Sequence, residues 1–145
     1  MSLIGNIIWL ILGGLVLALG YVIAGVIMFI FIITIPFALQ SFKLAGFSLW
    51  PFGRVMVDRG GASGGLSAIG NVIWVLLAGL WLALGHLLAA LLLAITIIAI
   101  PFASAHVKLA GAALTPFGKS VMSKKQAEAN QYRIVVGIEP LGQPR

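Results

Sequence analysis

Side chains that can do acid–base, nucleophilic or metal chemistry are scarce in this sequence of 145 residues. It has no cysteine and two histidines, and its carboxylates (Asp58, Glu128 and Glu139) all lie outside the apolar segments. Acid–base catalysis needs positioned titratable groups, and protein metal sites are built from His, Cys, Asp and Glu side chains. No spacing in the sequence brings such groups together. We therefore expect no catalytic residue, no metal site and no cofactor, and we do not expect an enzyme.

The segments that must position the remaining polar residues have the composition of membrane-embedded helices. Hydrophobic residues make up 61% of the chain and charged residues 8%, whereas a soluble domain carries about 25% charged residues. Residues 1–42 and 60–107 have no charge, and the basic residues follow these stretches in two patches. A nucleic-acid-binding protein would spread such charge over a folded face. The pattern is typical of positive-inside membrane proteins, so we expect the lipid bilayer as partner and no nucleic acid.

The second half of the chain repeats the first without a gap. IGNIIW near the start recurs as IGNVIW, and IPFA, KLAG and PFG each occur twice in the same order. Each copy of such a repeat is one structural unit. The predicted domains are a first repeat at residues 1–59, a glycine- and serine-rich linker at 60–66, a second repeat at 67–122 and a polar cytoplasmic tail at 123–145.

Three of these motifs resemble a known family. The GN-[IV]-I-W start, the IPFA box and the L-x-PFG ending are similar to those of the YccF family, the bacterial inner membrane component domain. The resemblance covers both repeats, residues 1–122. It implies a place in the bacterial inner membrane and a repeat architecture, and it implies no biochemical activity.

Each repeat is predicted to cross the bilayer twice. Its apolar run would be about 48 Å long as one helix, against a hydrocarbon core about 30 Å thick. Two helices with a break at Gly20, or at Gly85 in the second copy, fit better and place both basic patches on one side. One long tilted helix per repeat, in an inverted arrangement, stays open as the alternative.

The predicted fold is therefore an all-α integral membrane protein. It consists of two tandem parallel repeats, each a transmembrane helical hairpin, giving four transmembrane segments with short basic cytoplasmic elements. Both termini are expected in the cytoplasm of a bacterium, with the chain as a multi-pass protein of the inner membrane.

The two histidines are predicted to lie at opposite ends of the bilayer. His86 follows the expected break at Gly85 and takes the place of Tyr21 of the first copy, whereas His106 lies near the cytoplasmic boundary. Histidine can titrate or relay protons near neutral pH, but a polar tip at the interface also explains His86. Separated in this way, the imidazoles cannot share a metal ion within one chain.

Asparagine and proline recur at matching positions of the two repeats. Asn6 and Asn71 precede the apolar runs, and each can be read as a helix N-cap or as a polar contact within the membrane. Pro36 and Pro101 follow the apolar runs. Each is expected to kink a helix or to begin a new one, because proline suits the first turn of a helix and disrupts its interior.

Small residues recur four positions apart, as Gly14 and Ala18 and again as Gly79 and Ala83. This spacing lets helices approach closely in lipid. Packing within one chain and a subunit interface both fit the pattern. The second interpretation would make the protein a homo-oligomer, which we expect.

Basic residues close each repeat near the predicted cytoplasmic boundary. Lys and Arg side chains at such positions extend their charged heads toward the interface. Each contributes about 1 kcal/mol of attraction to anionic lipid near the surface. We expect four of them to contact anionic headgroups: Lys43, Arg54, Lys108 and Lys119.

Two function hypotheses follow for an inner-membrane protein of undetermined activity. The leading one is a homo-oligomeric channel or pore-forming component, with basic residues at the inner mouth that attract anions. The alternative is a non-transporting scaffold or partner subunit that binds a protein or anionic lipid. The uncharged helices favour the alternative, because ion-coupled transporters normally carry a charged group inside the membrane.

Overall fold

The computed structural model describes residues 2–59 and 64–139 of the chain. In each repeat two helices joined by a π-helical turn form one long segment, and a shorter helix returns antiparallel beside it, followed by a strand. The elements of the first repeat are α1 (Ser2–Trp9), the π-helical turn Leu10–Gly14, α2 (Leu15–Ile30), the 3₁₀ turn Ile32–Thr34, α3 (Ile35–Leu49) and β1 (Arg54–Asp58).

The second repeat has the same order of elements apart from the 3₁₀ turn, and the tail adds a short helix and a strand. These elements are α4 (Gly64–Trp74), the π-helical turn Val75–Gly79, α5 (Leu80–Ile95), α6 (Ile100–Leu114), β2 (Lys119–Ser123), α7 (Lys124–Ala129) and β3 (Arg133–Gly137).

The chain reverses direction at residues 31–34 and 96–99, so the predicted breaks at Gly20 and Gly85 are wrong. Both glycines lie inside helices, α2 and α5. At the first reversal Thr34 Oγ1 donates to Met28 O at 2.5 Å, which satisfies a carbonyl released at the end of α2. A glycine inside an apolar helix breaks the helix only when the freed backbone groups find other hydrogen-bond partners. Here such partners occur after residue 30, at the reversal that Thr34 stabilises.

The prolines lie directly after these reversals. Pro36 lies in the first turn of α3 and Pro101 in the first turn of α6. A proline at this position loses no helical hydrogen bond, because the first N–H groups of a helix have no partner within it. Of the two interpretations left open by the sequence, the structure places both prolines at helix starts.

Part of the predicted linker at residues 60–66 lies in a helix. Helix α4 begins at Gly64, so residues 64–66 belong to its first turn, and residues 60–63 lie outside the described residues. In the tail, Ser123 caps α7 by accepting from Gln126 N, and the apolar stretch after Tyr132 forms β3. Residues 140–145 lie outside the described residues.

The two repeats and the tail meet in a three-stranded antiparallel sheet of order β2–β1–β3. Strand β1 pairs with β2, with Asp58 opposite Lys119, and its other edge pairs with β3. The expectation of an all-α fold is therefore wrong at this end of the molecule. Each strand is five residues long and pairs with a distant part of the chain. A sequence pattern within one such segment therefore does not predict the sheet. Because β1 and β2 pair directly, the basic ends of both hairpins lie together.

The asparagines fasten the PFG turns to the long helices. Asn6 is buried within α1, where its Oδ1 accepts from Phe52 N at 3.0 Å and its Nδ2 donates to Phe52 O at 3.1 Å. Asn71 Oδ1 accepts from Phe117 N at 2.9 Å in the second copy. The N-cap interpretation is wrong, because α1 and α4 begin several residues earlier and both side chains bind the backbone of another element.

Each long segment is also bound to its returning helix by a tryptophan. Trp9 Nε1 donates to Ser48 O at 2.7 Å, and Trp74 Nε1 donates to Ala113 O at 2.6 Å. Both rings are fully buried. These bonds satisfy carbonyls at the last turns of α3 and α6, where intrahelical donors are missing.

The small residues of the repeated pattern pack inside the chain. A Cβ atom on Gly14 would lie 2.0 Å from Trp9 Nε1, and one on Gly79 would lie 2.5 Å from the corresponding atom of Trp74. Ala18 is buried as well, and so is its equivalent in the second repeat, Ala83. Their smallness lets the indole rings lie across the helices.

We expect Gly14→Ala to destabilise the fold, because its methyl group has no room beside Trp9. Overpacking of this kind lowers the free energy of unfolding by about 1–3 kcal/mol. The matched control is Gly111→Ala in α6, where a Cβ meets no atom within 4 Å; it should be neutral or stabilising by up to about 1 kcal/mol. Thermal unfolding in detergent, followed by far-UV circular dichroism, measures both. Equal midpoints for the two variants would contradict the packing described here.

Candidate functional site

Two histidines and a tyrosine meet in the interior of the helical bundle. His86 Nδ1 lies 3.0 Å from His106 Nδ1, and His86 Nε2 lies 3.1 Å from the Tyr21 hydroxyl. All three side chains are at most 1% exposed. The His106 ring also stacks on Trp9, with ring centroids 4.1 Å apart. The prediction that the imidazoles lie at opposite ends of the bilayer is wrong.

The position of the helix reversal explains this difference. A break at Gly85 would place His86 beside the turn and His106 at the far end of the next helix. Because the chain turns at residues 96–99, the two histidines lie on the facing helices α5 and α6, one on each side of the turn. The long helix of the first repeat supplies Tyr21, so the cluster joins both repeats.

Both histidines stand where the first copy has hydroxyl side chains. His86 corresponds to Tyr21, and His106 corresponds to Ser41, whose Oγ donates to Tyr21 O at 2.5 Å. A position-by-position comparison of the two copies is the sequence signal that singles out this pair. This comparison singles out His106 as clearly as His86, but the contact between the two histidines was not predicted.

The cluster does not offer the donor set of a usual metal site. In the part of the chain that the structure describes, no three His, Cys, Asp or Glu side chains come together. The facing Nδ1 atoms of His86 and His106 are engaged with each other. The chemistry available to this cluster is hydrogen bonding and proton exchange between rings.

At the basic end of the molecule, Lys43 connects the two repeats. Its Nζ donates to Pro116 O at 2.6 Å and to Lys119 O at 2.8 Å, and it also donates to Gln40 Oε1. These three acceptors occupy the donors of the ammonium group. The predicted headgroup contact is therefore wrong for Lys43, whose charge binds the turn before β2 to helix α3.

Lys119 is likewise engaged within its own repeat. Its Nζ donates to Thr115 O at 2.8 Å and to Thr115 Oγ1 at 2.6 Å. Partial burial lowers the pKa of Lys119, and the opposite charge of Asp58 partly offsets this effect. A cavity of about 520 Å³ opens beside these residues, between the sheet and the start of α4.

Arg54 and Lys108 keep their charged groups at the surface. Arg54 Nη1 donates to Gly46 O at 3.2 Å, and Lys108 Nζ donates to Gly137 O at 3.0 Å. Both side chains are exposed and retain further donors. Contact with anionic headgroups stays a prediction for these two residues.

We expect Lys43→Met to weaken the union of the two repeats, because it leaves the carbonyls of Pro116 and Lys119 without this donor. Loss of a charged hydrogen-bond donor to buried partners costs about 1–3 kcal/mol. Lys125→Met, which removes an exposed charge from α7, should change stability by less than about 0.5 kcal/mol. Thermal unfolding in detergent measures both effects, and a Lys43→Met midpoint equal to that of the control would refute the connecting role.

Comparison with known proteins agrees with the repeat and the apolar helices. The YccF inner membrane component domain matches the chain twice, over residues 4–54 and 69–119. The inner membrane proteins YccF of Escherichia coli strain K12 and of Shigella flexneri are each 32% identical to it over 138 residues, covering 86% of this chain and 89% of theirs. No solved structure matches the chain. The described helices include three that are long and apolar enough to cross a membrane. The chain belongs to the YccF family of bacterial inner membrane proteins.

Proposed function

We propose that the protein is a non-conducting membrane component that binds anionic lipid on one side of the bilayer. Its two hairpins enter from the cytoplasmic face and hold a basic module, defined as strands β1 to β3 with helix α7, against the headgroups. The observation that carries this proposal is the one-sided distribution of charge. In the described residues all Lys, Arg, Asp and Glu lie in residues 43–59 and 108–139, at or near the end where β1 and β2 pair.

The opposite end of the molecule is apolar. The hairpin turns at residues 31–34 and 96–99 contain no charged residue. Ile33 is 87% exposed and Ile98 is 91% exposed. Exposed apolar surface costs about 25 cal/mol per Å² in water, so these turns fit a lipid environment better than an aqueous one.

The returning helices are short for a full crossing, although the 3₁₀ turn before α3 extends that segment to 18 residues, Ile32–Leu49. Helices α3 and α6 have 15 residues each, which gives a length of about 22 Å against a hydrocarbon core of about 30 Å. Lys43 lies within α3 and belongs to the polar end, which shortens the apolar part further. We therefore propose that both hairpin turns stay inside the hydrocarbon core, in place of the four complete crossings predicted from the sequence. The cytoplasmic position of the basic module follows from the positive-inside rule.

The channel hypothesis has less support from the geometry. Where the long helices α2 and α5 meet, Leu17 packs on Gly85 and Leu82 packs on Gly20, and the polar contact beside them, between Tyr21 and His86, is fully buried. A pore between subunits would be lined by the exposed apolar faces of the long helices. Homo-oligomerisation stays a prediction, but the Gly14 face that suggested it is covered by Trp9 of the same chain.

Single cysteines test the insertion, because the native chain has none. We expect Ile33→Cys and Ile98→Cys to resist a membrane-impermeant maleimide from both faces, in spheroplasts and in inverted vesicles, and to react after detergent is added. Lys125→Cys is the control and should react in inverted vesicles only. Reaction of the turn positions from the periplasm would support four crossings and overturn the proposal, and reaction of Lys125→Cys from that side would reverse the orientation.

Lipid binding is tested by the charge of Arg54 and Lys108. We expect an Arg54→Gln, Lys108→Gln double variant to lose affinity for phosphatidylglycerol over phosphatidylcholine by roughly thirtyfold, since each exposed charge contributes about 1 kcal/mol. The control variant Arg54→Lys, Lys108→Arg keeps the charge and should keep the preference. Quenching of tryptophan fluorescence by brominated forms of either lipid measures it. An unchanged preference in the glutamine variant contradicts headgroup binding at these residues.

Ion flux through proteoliposomes tests the non-conducting part separately. We expect no flux above that of protein-free vesicles under an applied voltage, a pH gradient or membrane tension. Reproducible flux would favour the channel hypothesis and overturn this part of the proposal.

A further inference from the structure

The hydrogen bonds of the ring cluster have a preferred direction. With neutral rings, one of the facing Nδ1 atoms carries a proton and the other accepts it. If His86 donates, its Nε2 is free to accept the Tyr21 hydroxyl proton, and His106 carries its own proton on Nε2. If His106 donates, His86 Nε2 donates to Tyr21, and the hydroxyl proton has no acceptor among the described residues. The first arrangement leaves one polar group unpaired and the second leaves two.

The unpaired group of the first arrangement is the Nε2–H of His106. This atom is buried and has no hydrogen-bond partner in the described part of the chain. An unpaired buried donor costs about 1–3 kcal/mol, so a stable cluster needs an acceptor there. The Leu12 backbone interacts with the same ring, so the break brings an acceptor close to it.

The long helix of the first repeat is broken at this point. Leu12 (φ −83°, ψ 16°) and Gly13 (φ 117°) leave the helical conformation, and Leu15 N–H donates to Leu10 O, five residues back. In a regular α-helix Leu15 N–H would donate to Ile11 O, four residues back. A Cβ added to Gly13 would lie 3.8 Å from His106 Nε2, at ordinary van der Waals contact, so there is room between the break and the imidazole.

The second repeat has the same five-residue hydrogen bond, from Leu80 N–H to Val75 O, but its helix is not broken. The position that corresponds to Gly13 is Ala78, and no residue of the π-helical turn around it departs from helical dihedral angles. The broken helix, the space beside it and the unpaired nitrogen of His106 therefore occur together at one place, and the equivalent place beside the long segment of the second repeat has no break. The repeat symmetry does not explain why these three features occur together. A ligand bound between the broken helix and His106 does explain it.

We propose that the break at Leu12–Gly13 and His106 Nε2 form a binding site for one water molecule inside the bundle, at the end of a directed chain from the Tyr21 hydroxyl through His86 to His106. Buried waters typically make about three hydrogen bonds to polar groups that lack other partners. Here the water accepts from His106 Nε2–H and donates to the backbone carbonyls at the break. The site goes beyond lipid binding and does not depend on it, since it lies within the helices.

Solid-state NMR of the full chain with ¹⁵N-labelled histidine, in nanodiscs of phosphatidylcholine and phosphatidylglycerol, tests both parts. We expect His86 as the Nδ1–H tautomer, His106 as the Nε2–H tautomer, a coupling between their Nδ1 atoms, and magnetisation transfer from water to His106 Nε2–H. Reversed tautomers, a doubly protonated ring at neutral pH, or no transfer from water would each overturn the proposal.

Variants test the direction of the chain. Tyr21→Phe removes the hydroxyl donor but leaves the water that accepts from His106 Nε2–H. We therefore expect His86 to stay the Nδ1–H tautomer, its Nε2 signal to shift because that atom loses its hydrogen bond, and the transfer from water to His106 Nε2–H to persist. Tyr132→Phe removes a hydroxyl next to the sheet, away from the cluster, and should leave the histidine spectrum unchanged. His86 as the Nε2–H tautomer in Tyr21→Phe, or loss of the transfer from water, would contradict the assigned direction and the water at its end.

Gly13→Ala tests the place of the water. The new methyl group should occupy the space beside His106 Nε2 and abolish transfer from water while the coupling between the Nδ1 atoms persists. Persistence of both signals would place the water elsewhere and overturn the site. Because alanine is strained at a φ of 117°, the Tyr21→Phe result stands as the independent test if Gly13→Ala does not fold.

Discussion

Wherever water is absent, the backbone carbonyls at a helix end must find a donor inside the protein, and this constraint organises the whole molecule. Trp9 Nε1 binds Ser48 O near the end of α3, and Thr34 Oγ1 binds Met28 O near the end of α2. Lys43 Nζ serves Pro116 O and Lys119 O after α6 has ended. Buried polar side chains that would otherwise suggest a polar path through the membrane are used to complete the backbone hydrogen bonding. The bundle is consequently held together at its ends by directional bonds and along its length by close packing.

The two repeats meet this constraint with equivalent hydrogen bonds but differ in one polar cluster. Asn6 and Asn71 fasten equivalent turns, and Trp9 and Trp74 bind equivalent carbonyls. The copies differ at the place where their helices meet, because the second copy brings two imidazoles where the first has two hydroxyl groups. The result is a pseudo-symmetric frame with one asymmetric polar centre.

The charged residues lie at one end of the molecule, and this placement connects the fold with a role at the membrane surface. The sheet collects strands from both repeats and from the tail, so the charged parts of the chain form one module. The apolar hairpin turns at the other end carry no charge that would draw them to the outer surface. Membership of the YccF family agrees with residence in the bacterial inner membrane. The proposed recognition surface is the basic end of the molecule, where Arg54 of β1 and Lys108 of α6 are exposed.

The sequence by itself determined the environment, the repeat, the extent of the apolar runs and the common side of both basic patches, because composition and charge placement depend only on local residue types. The tertiary structure decided where each hairpin turns. A glycine such as Gly20 stays helical when nothing outside satisfies its backbone, whereas Phe31 to Thr34 can leave the helix because Thr34 supplies a donor. The tertiary structure also decided the three-stranded sheet, the binding of Asn6 to the backbone of Phe52 and the contact between His86 and His106. Each of these depends on partners far apart in the chain, and such contacts leave no periodic trace in the sequence.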